Sequence, residues 1–128
     1  MVAPYWRMKN LRIINAQLIM AREINEKILA SLRTELNLQT AEYPWAELQR
    51  QFAAGGVIAV DPELDLVDVA ARIAADDKQS VERWMETKQL SQVLDEQAQQ
   101  WLDNNAMLWT VVVKPWILVQ ERRQPSRH

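Results

Sequence analysis

The stretch LWTVVVKPWILVQE, residues 108–121, is the most apolar segment of this 128-residue chain, and it decides the predicted fold. At the two-residue period of a β-strand, both faces of the segment are apolar. One face carries Trp109, Val111, Val113, Pro115, Ile117 and Val119, whereas the other carries Leu108, Val112, Trp116 and Leu118. Two apolar faces need two covers, which are either helices of the same chain or a second chain.

Pro115 limits how this segment can pair with other strands. Proline has no N–H to donate to a ladder, so it marks a bulge, a sheet edge or a break between two shorter strands. The compact β-branched segment VIAV, 57–60, predicts a second, short buried strand. Together the two segments predict a small β-sheet.

In most of the remaining chain, apolar residues recur at the spacing of an α-helix. The helical stripes are Ile24, Ile28, Leu32 and Leu36; Trp45, Leu48 and Phe52; Leu66, Val69, Ala70 and Ile73; Val81, Trp84 and Met85; and Ala98, Trp101 and Leu102. Pro44 fits the first turn of the second helix, and Asp65 and Asp95 have the position and side chain of helix caps.

These segments predict one α+β domain over 21–121, with four to five helices packed on a short sheet formed by 57–60 and 108–121. Residues 1–20 are interpreted as an N-terminal extension, with Met20 as a candidate natural start. That extension is too short and too interrupted by polar residues to span a membrane. Residues 122–128 form a basic polar tail.

The composition excludes several kinds of chemistry. The chain has no cysteine, which rules out disulfides, thiolate nucleophiles and cysteine-ligated metals and permits a reducing cytoplasm. Its one histidine is His128, at the end of the tail, so neither a histidine-dependent triad nor a histidine-ligated metal is expected. Gly55 and Gly56 are too few glycines for a phosphate-binding loop. We therefore expect no cofactor and no metal.

The charges divide the chain unevenly. Residues 35–103 carry 14 acidic and 5 basic side chains, whereas the two ends together carry 3 acidic and 10 basic ones. Two interpretations stay open: a solvated acidic surface with basic flanks, or ends that contact the acidic middle of a neighbouring subunit.

Several stretches together resemble a known family. They are WAELQRQFAAGGVIAVDPELDLVDVAARIAADD (45–77), VERW (81–84), AQQW (98–101) and VVVKPWILVQE (111–121). In this order they resemble the small bacterial family catalogued as domain of unknown function 2288, from about Ile28 to Glu121. The resemblance implies no catalytic residues, because the family has no assigned activity. The chain departs from the family pattern in its first twenty residues, which have no counterpart, and at Lys88, which stands where a helix-ending glycine is expected.

The densest acidic cluster is DPELD, which begins at Asp61. Asp61, Glu63 and Asp65 have the opening spacing of a calcium loop, but Leu66 stands where that loop needs glycine and Arg72 where it needs glutamate. A proline turn followed by a helix cap explains the same residues. An enzyme that uses these carboxylates stays as the least favoured hypothesis.

The favoured function is that of a non-enzymatic cytoplasmic protein that self-associates as a dimer, with a further protein as a second candidate partner. An apolar strand face and tryptophan anchors would form the contact, and the divided charge would set its orientation. The candidate interface comprises Trp45, Phe52, Trp109, Val113, Trp116 and Leu118. The alternative is that helices on both sides complete the burial within one chain.

A DNA-binding regulator is the alternative function. The predicted helix pair at 66–88 resembles the helix-turn-helix half of winged DNA-binding domains, with Lys78, Gln79 and Arg83 as candidate DNA contacts. Two aspartates at the start of the second helix would face the phosphates, and this part of the chain is acidic. Both features argue against nucleic acid as the partner.

Overall fold

The computed structural model describes residues 22–23 and 25–122 of the chain. Within that part, five α-helices, one 3₁₀ turn and five strands form a single small α+β domain, which confirms the predicted fold class. The proposed extension with its candidate start at Met20, and the tail beyond Arg122, lie outside the described residues.

The strands form one mixed sheet in the order β1-β4-β5-β2-β3, in which only the β2–β5 pair is parallel. In chain order the elements are α1 (25–39), β1 (Ala41–Pro44), the 3₁₀ turn (Trp45–Leu48), α2 (Gln49–Ala53), β2 (Val57–Val60), α3 (Leu66–Ala74), α4 (Lys78–Glu86), β3 (Leu90–Gln92), α5 (Asp95–Asp103), β4 (Met107–Val113) and β5 (Trp116–Gln120). The predicted sheet therefore gains two strands, β1 and β3, at its two edges.

The long apolar stretch is a hairpin rather than one strand. β4 and β5 pair in antiparallel register, with Val113 opposite Trp116 and Val111 opposite Leu118. The Lys114–Pro115 peptide bond that joins them is cis. Of the three roles that proline allows here, the structure has the break between two shorter strands.

Helices of the same chain cover both faces of this sheet, and each face has its own core. Strand alternation sends Leu118 to one face and its neighbour Val119 to the other, and both side chains are fully buried. The first core contains Leu36, Val60, Leu66, Val69, Ala70, Ala71, Leu90, Val111, Val113 and Leu118. The second contains Trp45, Leu48, Val57, Val93, Ala98, Trp101, Leu108 and Val119. The intrachain alternative therefore accounts for most of the burial that a second chain was expected to provide.

Local sequence explains where the helices begin. The Asp65 carboxylate accepts hydrogen bonds from the backbone N–H groups of Val67 and Asp68 at 3.0 and 3.4 Å, so the predicted cap of α3 is confirmed. The cap predicted at Asp95 is wrong: α5 begins at Asp95 itself, after Leu94, and its start has no side-chain cap. Asp95 instead lies in the first turn, where a negative charge favours the helix dipole.

Lys88 follows the end of α4 in the left-handed conformation, although it is not the glycine expected at this position. Its φ is +60°, its N–H donates to the Met85 carbonyl at 3.1 Å, and the Gln89 N–H donates to the Trp84 carbonyl at 2.8 Å. Glycine is the residue that adopts this conformation without a steric cost. A lysine therefore carries strain at the turn into β3.

Candidate docking groove

An open apolar groove of about 310 Å³ lies between α4 and the β3 side of the sheet. Its polar lining residues both belong to β3. The lining residues are Ile58, Ile73, Val81, Met85, Leu90, Ser91, Gln92 and Trp116. We refer to this feature as the groove.

The groove exists because α4 buries only part of its apolar stripe. Val81 and Trp84 pack against the first core, whereas Met85, one turn after Val81, leaves 60% of its surface in solvent. Strand alternation supplies the floor, since Ile58 on β2 and Leu90 on β3 point to the α4 side of the sheet. An exposed methionine beside an apolar cavity is a feature of adaptable binding surfaces.

Trp116 stands where the apolar groove meets a charged cavity. It is 37% exposed, and together with Ile73 and Val81 it also lines a neighbouring cavity of about 410 Å³. The charged residues that line this second cavity are Asp76, Asp77, Lys78, Glu82 and Lys114. The surface therefore combines an apolar centre with a rim of acidic and basic side chains, as protein interfaces do.

Asp77 fixes the start of α4 and thereby one wall of the groove. Its carboxylate accepts hydrogen bonds from the Ser80 N–H and hydroxyl at 3.2 and 2.8 Å, and it pairs with Arg72 at 2.8 Å. The Ser80 hydroxyl is the main cause that holds the pKa of Asp77 below its usual value, Arg72 adds to the effect, and burial opposes it. The same pairing raises the pKa of the Arg72 guanidinium.

The groove borders an edge strand. Among the described residues β3 pairs only with β2, and the ladder continues at Gln89, whose carbonyl accepts the Asp61 N–H at 2.8 Å. Beyond β3, Leu94 has extended backbone angles and is 70% exposed. Leu90, Gln92 and Leu94 alternate with Ser91 and with Val93, which is buried in the second core. This alternation assigns Leu94 to the side of the sheet that carries the groove.

The predicted interface residues do not form one surface. Trp45 and Leu118 are fully buried and Val113 nearly so, because helices of the same chain cover both sheet faces. Phe52 packs against the Trp45 ring at a centroid distance of 5.4 Å. The burial of Trp45, Val113 and Leu118 therefore leaves little or no surface of these side chains for contact with a partner of the folded chain.

The two predicted tryptophans that remain partly exposed lie at opposite ends of the β4–β5 hairpin. Trp109 is opposite Gln120, and Trp116 is opposite Val113, so roughly 13 Å of strand separates them. Only Trp116 belongs to the groove. The predicted interface did not include Met85, which also lines the groove. It did not include Leu94 either, because the exposure of that residue after a polar strand is not visible in any periodicity.

Trp109 borders a different, polar cleft of about 480 Å³ between the end of α1, the 62–65 loop and the start of α3. The Gln120 side chain holds this loop through hydrogen bonds to the Asp61 and Leu64 carbonyls at 2.9 and 2.7 Å. Glu121, which also lines the cleft, accepts a hydrogen bond from the Trp101 indole at 2.8 Å. These contacts give the cleft residues structural partners within the chain.

The acidic cluster forms the predicted turn and cap. The Asp61 carboxylate accepts the Glu63 N–H at 2.8 Å, and Asp65 caps α3. Asp68 pairs with Arg33 of α1 and with Arg72, which ties α1 to α3. No group of three or more residues suited to hold a metal occurs among the described residues.

The candidate DNA contacts lie on α4, as predicted. Lys78, Gln79 and Arg83 are exposed, and α4 follows α3 after a short turn. The same helix carries Glu82 and Glu86. Binding of DNA stays a prediction.

Comparison with known proteins places this fold in a family. Residues 31–121 match the family described as protein of unknown function (DUF2288). The chain belongs to this family. The DUF2288 match includes every residue that lines the groove.

A solved structure also resembles this DUF2288 chain. The solution NMR structure of PA1075 from Pseudomonas aeruginosa has 41% sequence identity and a TM-score of 0.66, with 77% of this chain and 92% of that chain covered. A comparison with curated proteins gives no match. In the part of the chain that the structure describes, no helix has both the length and the apolar character needed to cross a membrane.

Proposed function

We propose that this DUF2288 chain is a non-enzymatic protein-interaction module, and that its groove receives an apolar side chain from another polypeptide. The observation that carries the proposal is the exposure of Met85 and Trp116 around an apolar cavity that the chain's own helices leave uncovered. A cytoplasmic location is part of the proposal, because a chain without cysteine needs no oxidising compartment to fold.

The expected energetics favour a side chain the size of leucine or methionine. Burying one such side chain is worth about 1.5 to 3 kcal/mol, and aliphatic side chains from α3, α4 and the sheet line the groove. Trp116 has the residue type of an interface anchor, and it lines both the groove and the neighbouring charged cavity. The charged residues of the neighbouring cavity would then orient the partner rather than supply the affinity.

Site-specific photocrosslinking in the native host tests this proposal. A benzoylphenylalanine placed at Met85 should give light-dependent adducts of discrete mass, because the side chain reaches into the occupied groove. The same group at Leu38, which is 82% exposed on α1 and outside the groove, serves as the control. Equal adduct yields at the two positions, or none at Met85, would contradict the proposal.

A further inference from the structure

We propose, on the basis of the function proposed above, that the occupant of the groove is a second copy of this chain. The β3 strands of two copies pair in antiparallel orientation across a two-fold axis at Ser91. Leu94 of each copy then packs at the Met85 end of the other copy's groove.

The two edges of the sheet differ in how they resist pairing. The β1 edge carries the charged Glu42, which pairs with Arg122 at 2.9 Å, and it ends at Pro44, which has no N–H to donate. The β3 edge, Leu90–Gln92, carries neither a charge nor a proline. Charges and prolines are the usual means by which edge strands avoid association. The β3 edge is therefore the one that is open to another strand.

The apolar surface around β3 suits a strand of the same sequence. Leu94 continues β3 in extended conformation on the groove side, and it is one of the most exposed large apolar residues described. Pairing centred on Ser91 brings Leu94 of one copy opposite Lys88 of the other, directly after α4 and close to Met85. Two-fold symmetry repeats the contact, so both exposed leucines and both grooves are covered at once.

The charges near this axis are complementary in the same register. Asp95, the first residue of α5, follows Leu94, so it lies beside Lys88 of the other copy. The pairing thus gives two symmetry-related Lys88–Asp95 contacts at the rim of the interface. Rim pairs of opposite sign fix the register of association more than they add affinity.

The size of the contact sets its expected strength. A strand of three residues contributes few backbone hydrogen bonds, and the apolar contact consists of two leucines and two grooves. Such an interface lies near the lower limit for stable complexes. We expect a reversible dimer with a dissociation constant on the order of micromolar.

Sedimentation equilibrium of the purified full chain, over about 1 to 500 µM, tests the inference. Wild type should change from monomer to dimer within this range. The exposed-site variant Leu94→Asp should weaken dimerisation roughly tenfold or more, because a carboxylate replaces the buried leucine. Leu38→Asp, at a similarly exposed leucine on α1 that does not line the groove, should dimerise as wild type does.

A charge exchange separates pairing from a general loss of stability. Lys88→Glu should weaken the dimer, and the double variant Lys88→Glu/Asp95→Lys should restore it, because the exchanged charges meet again only across the two-fold axis. Dispersed amide NMR spectra confirm that each variant is folded. Rescue supports the inference, and an unrestored dimer overturns it.

The two proposals can fail separately. A wild-type chain that stays monomeric over the whole range, or a dimer that Leu94→Asp leaves unchanged, overturns the second-copy inference. If the Met85 crosslink then joins the chain to a different protein, the interaction function stands with a different occupant. If there is no Met85-specific crosslink, the proposed function fails as well.

Discussion

Single residues at helix ends determine much of how the groove is held in place. Lys88 is in the left-handed region without the freedom of glycine, and Asp77 holds the other end of the same helix through Ser80. Neither side chain belongs to the first core, so its substitution changes local conformation with little loss of buried apolar surface. Their effects on stability can therefore be predicted from backbone and capping terms alone.

Replacing Lys88 by glycine should stabilise the fold. The left-handed conformation costs an L-residue about 1 to 2 kcal/mol. Glycine removes this cost but loses more conformational entropy on folding, so we expect the free energy of unfolding to rise by roughly 0.5 to 1 kcal/mol. Urea unfolding at low protein concentration measures the difference. Lys88→Ala removes the same charge but retains the strain, so a gain in that variant would contradict the explanation.

Replacing Asp77 by alanine should destabilise the fold by about 1 kcal/mol at neutral pH, because the Ser80 N–H loses its acceptor. The pKa of Asp77 is lowered in the folded state, so its ionised form stabilises the protein above the ordinary carboxyl value of 3.8. This contribution disappears as the pH falls through the lower, folded value.

Unfolding of wild type and Asp77→Ala in urea at neutral and acidic pH checks the sign. The loss of stability in Asp77→Ala, relative to wild type, should be largest at neutral pH and smaller in acid. Asp77→Asn retains a capping oxygen without the charge, and it should lose less stability than alanine does. A deficit that grows towards low pH would show that the carboxylate does not act in this way.

At the scale of elements, the 3₁₀ turn and α5 are joined through one tryptophan pair. The Trp45 and Trp101 rings are 5.0 Å apart, and the Trp45 indole donates to the Ala98 carbonyl at 2.9 Å. Trp45 is fully buried in the second core, which also contains Leu48 of the turn and Ala98 of α5, so both elements pack around it.

Trp45→Ala should therefore cost about 3 to 5 kcal/mol, as expected for a large buried aromatic. Trp109→Ala, at a partly exposed tryptophan of the same set, should cost only about 1 kcal/mol. Thermal or urea unfolding of the two variants compares them directly. Similar losses would show that Trp45 contributes less to the second core than its burial indicates.

Sequence periodicity predicted the elements that carry a clear apolar stripe. The helix from Leu66 and the strand at 57–60 were predictable because their apolar residues recur at one period. β1 and β3 were not, since they are only four and three residues long, too short to show a clear period. Pairing with a neighbouring strand, rather than intrinsic propensity, makes them strands.

The candidate site was predictable only in part. Trp116 was predicted as an interface residue and is partly exposed, whereas Trp45 and Leu118 were predicted for the same interface and are internal. The reason is physical: an apolar strand has the same sequence whether helices or another chain cover it. Met85 is a contact candidate because the position of α4 over the sheet leaves the groove uncovered. Leu94 is one because it is exposed directly after β3.

At the scale of the whole molecule, protection of backbone amides from hydrogen exchange should decrease from the centre of the sheet to its edges. β5 pairs with strands on both sides, whereas β3 pairs on one side within the described chain. We expect amide hydrogen exchange to be slowest in β5 and fast in Ser91 and Gln92. If the second-copy pairing is correct, raising the protein concentration should slow exchange in β3 and leave β1 unchanged. Equal slowing at both edges would indicate non-specific association.

The position of β5 has a consequence for the order in which the protein can fold as it is synthesised. Its parallel partner β2 leaves the ribosome long before β5 does, because α3, α4, β3, α5 and β4 all lie between them in the chain. Until β5 pairs, both cores lack this central strand, and the apolar sides of the helices are not yet packed against a complete sheet. The nascent chain therefore exposes two unfinished apolar layers for most of its synthesis, and it is in this interval that a chaperone would have the most surface to bind.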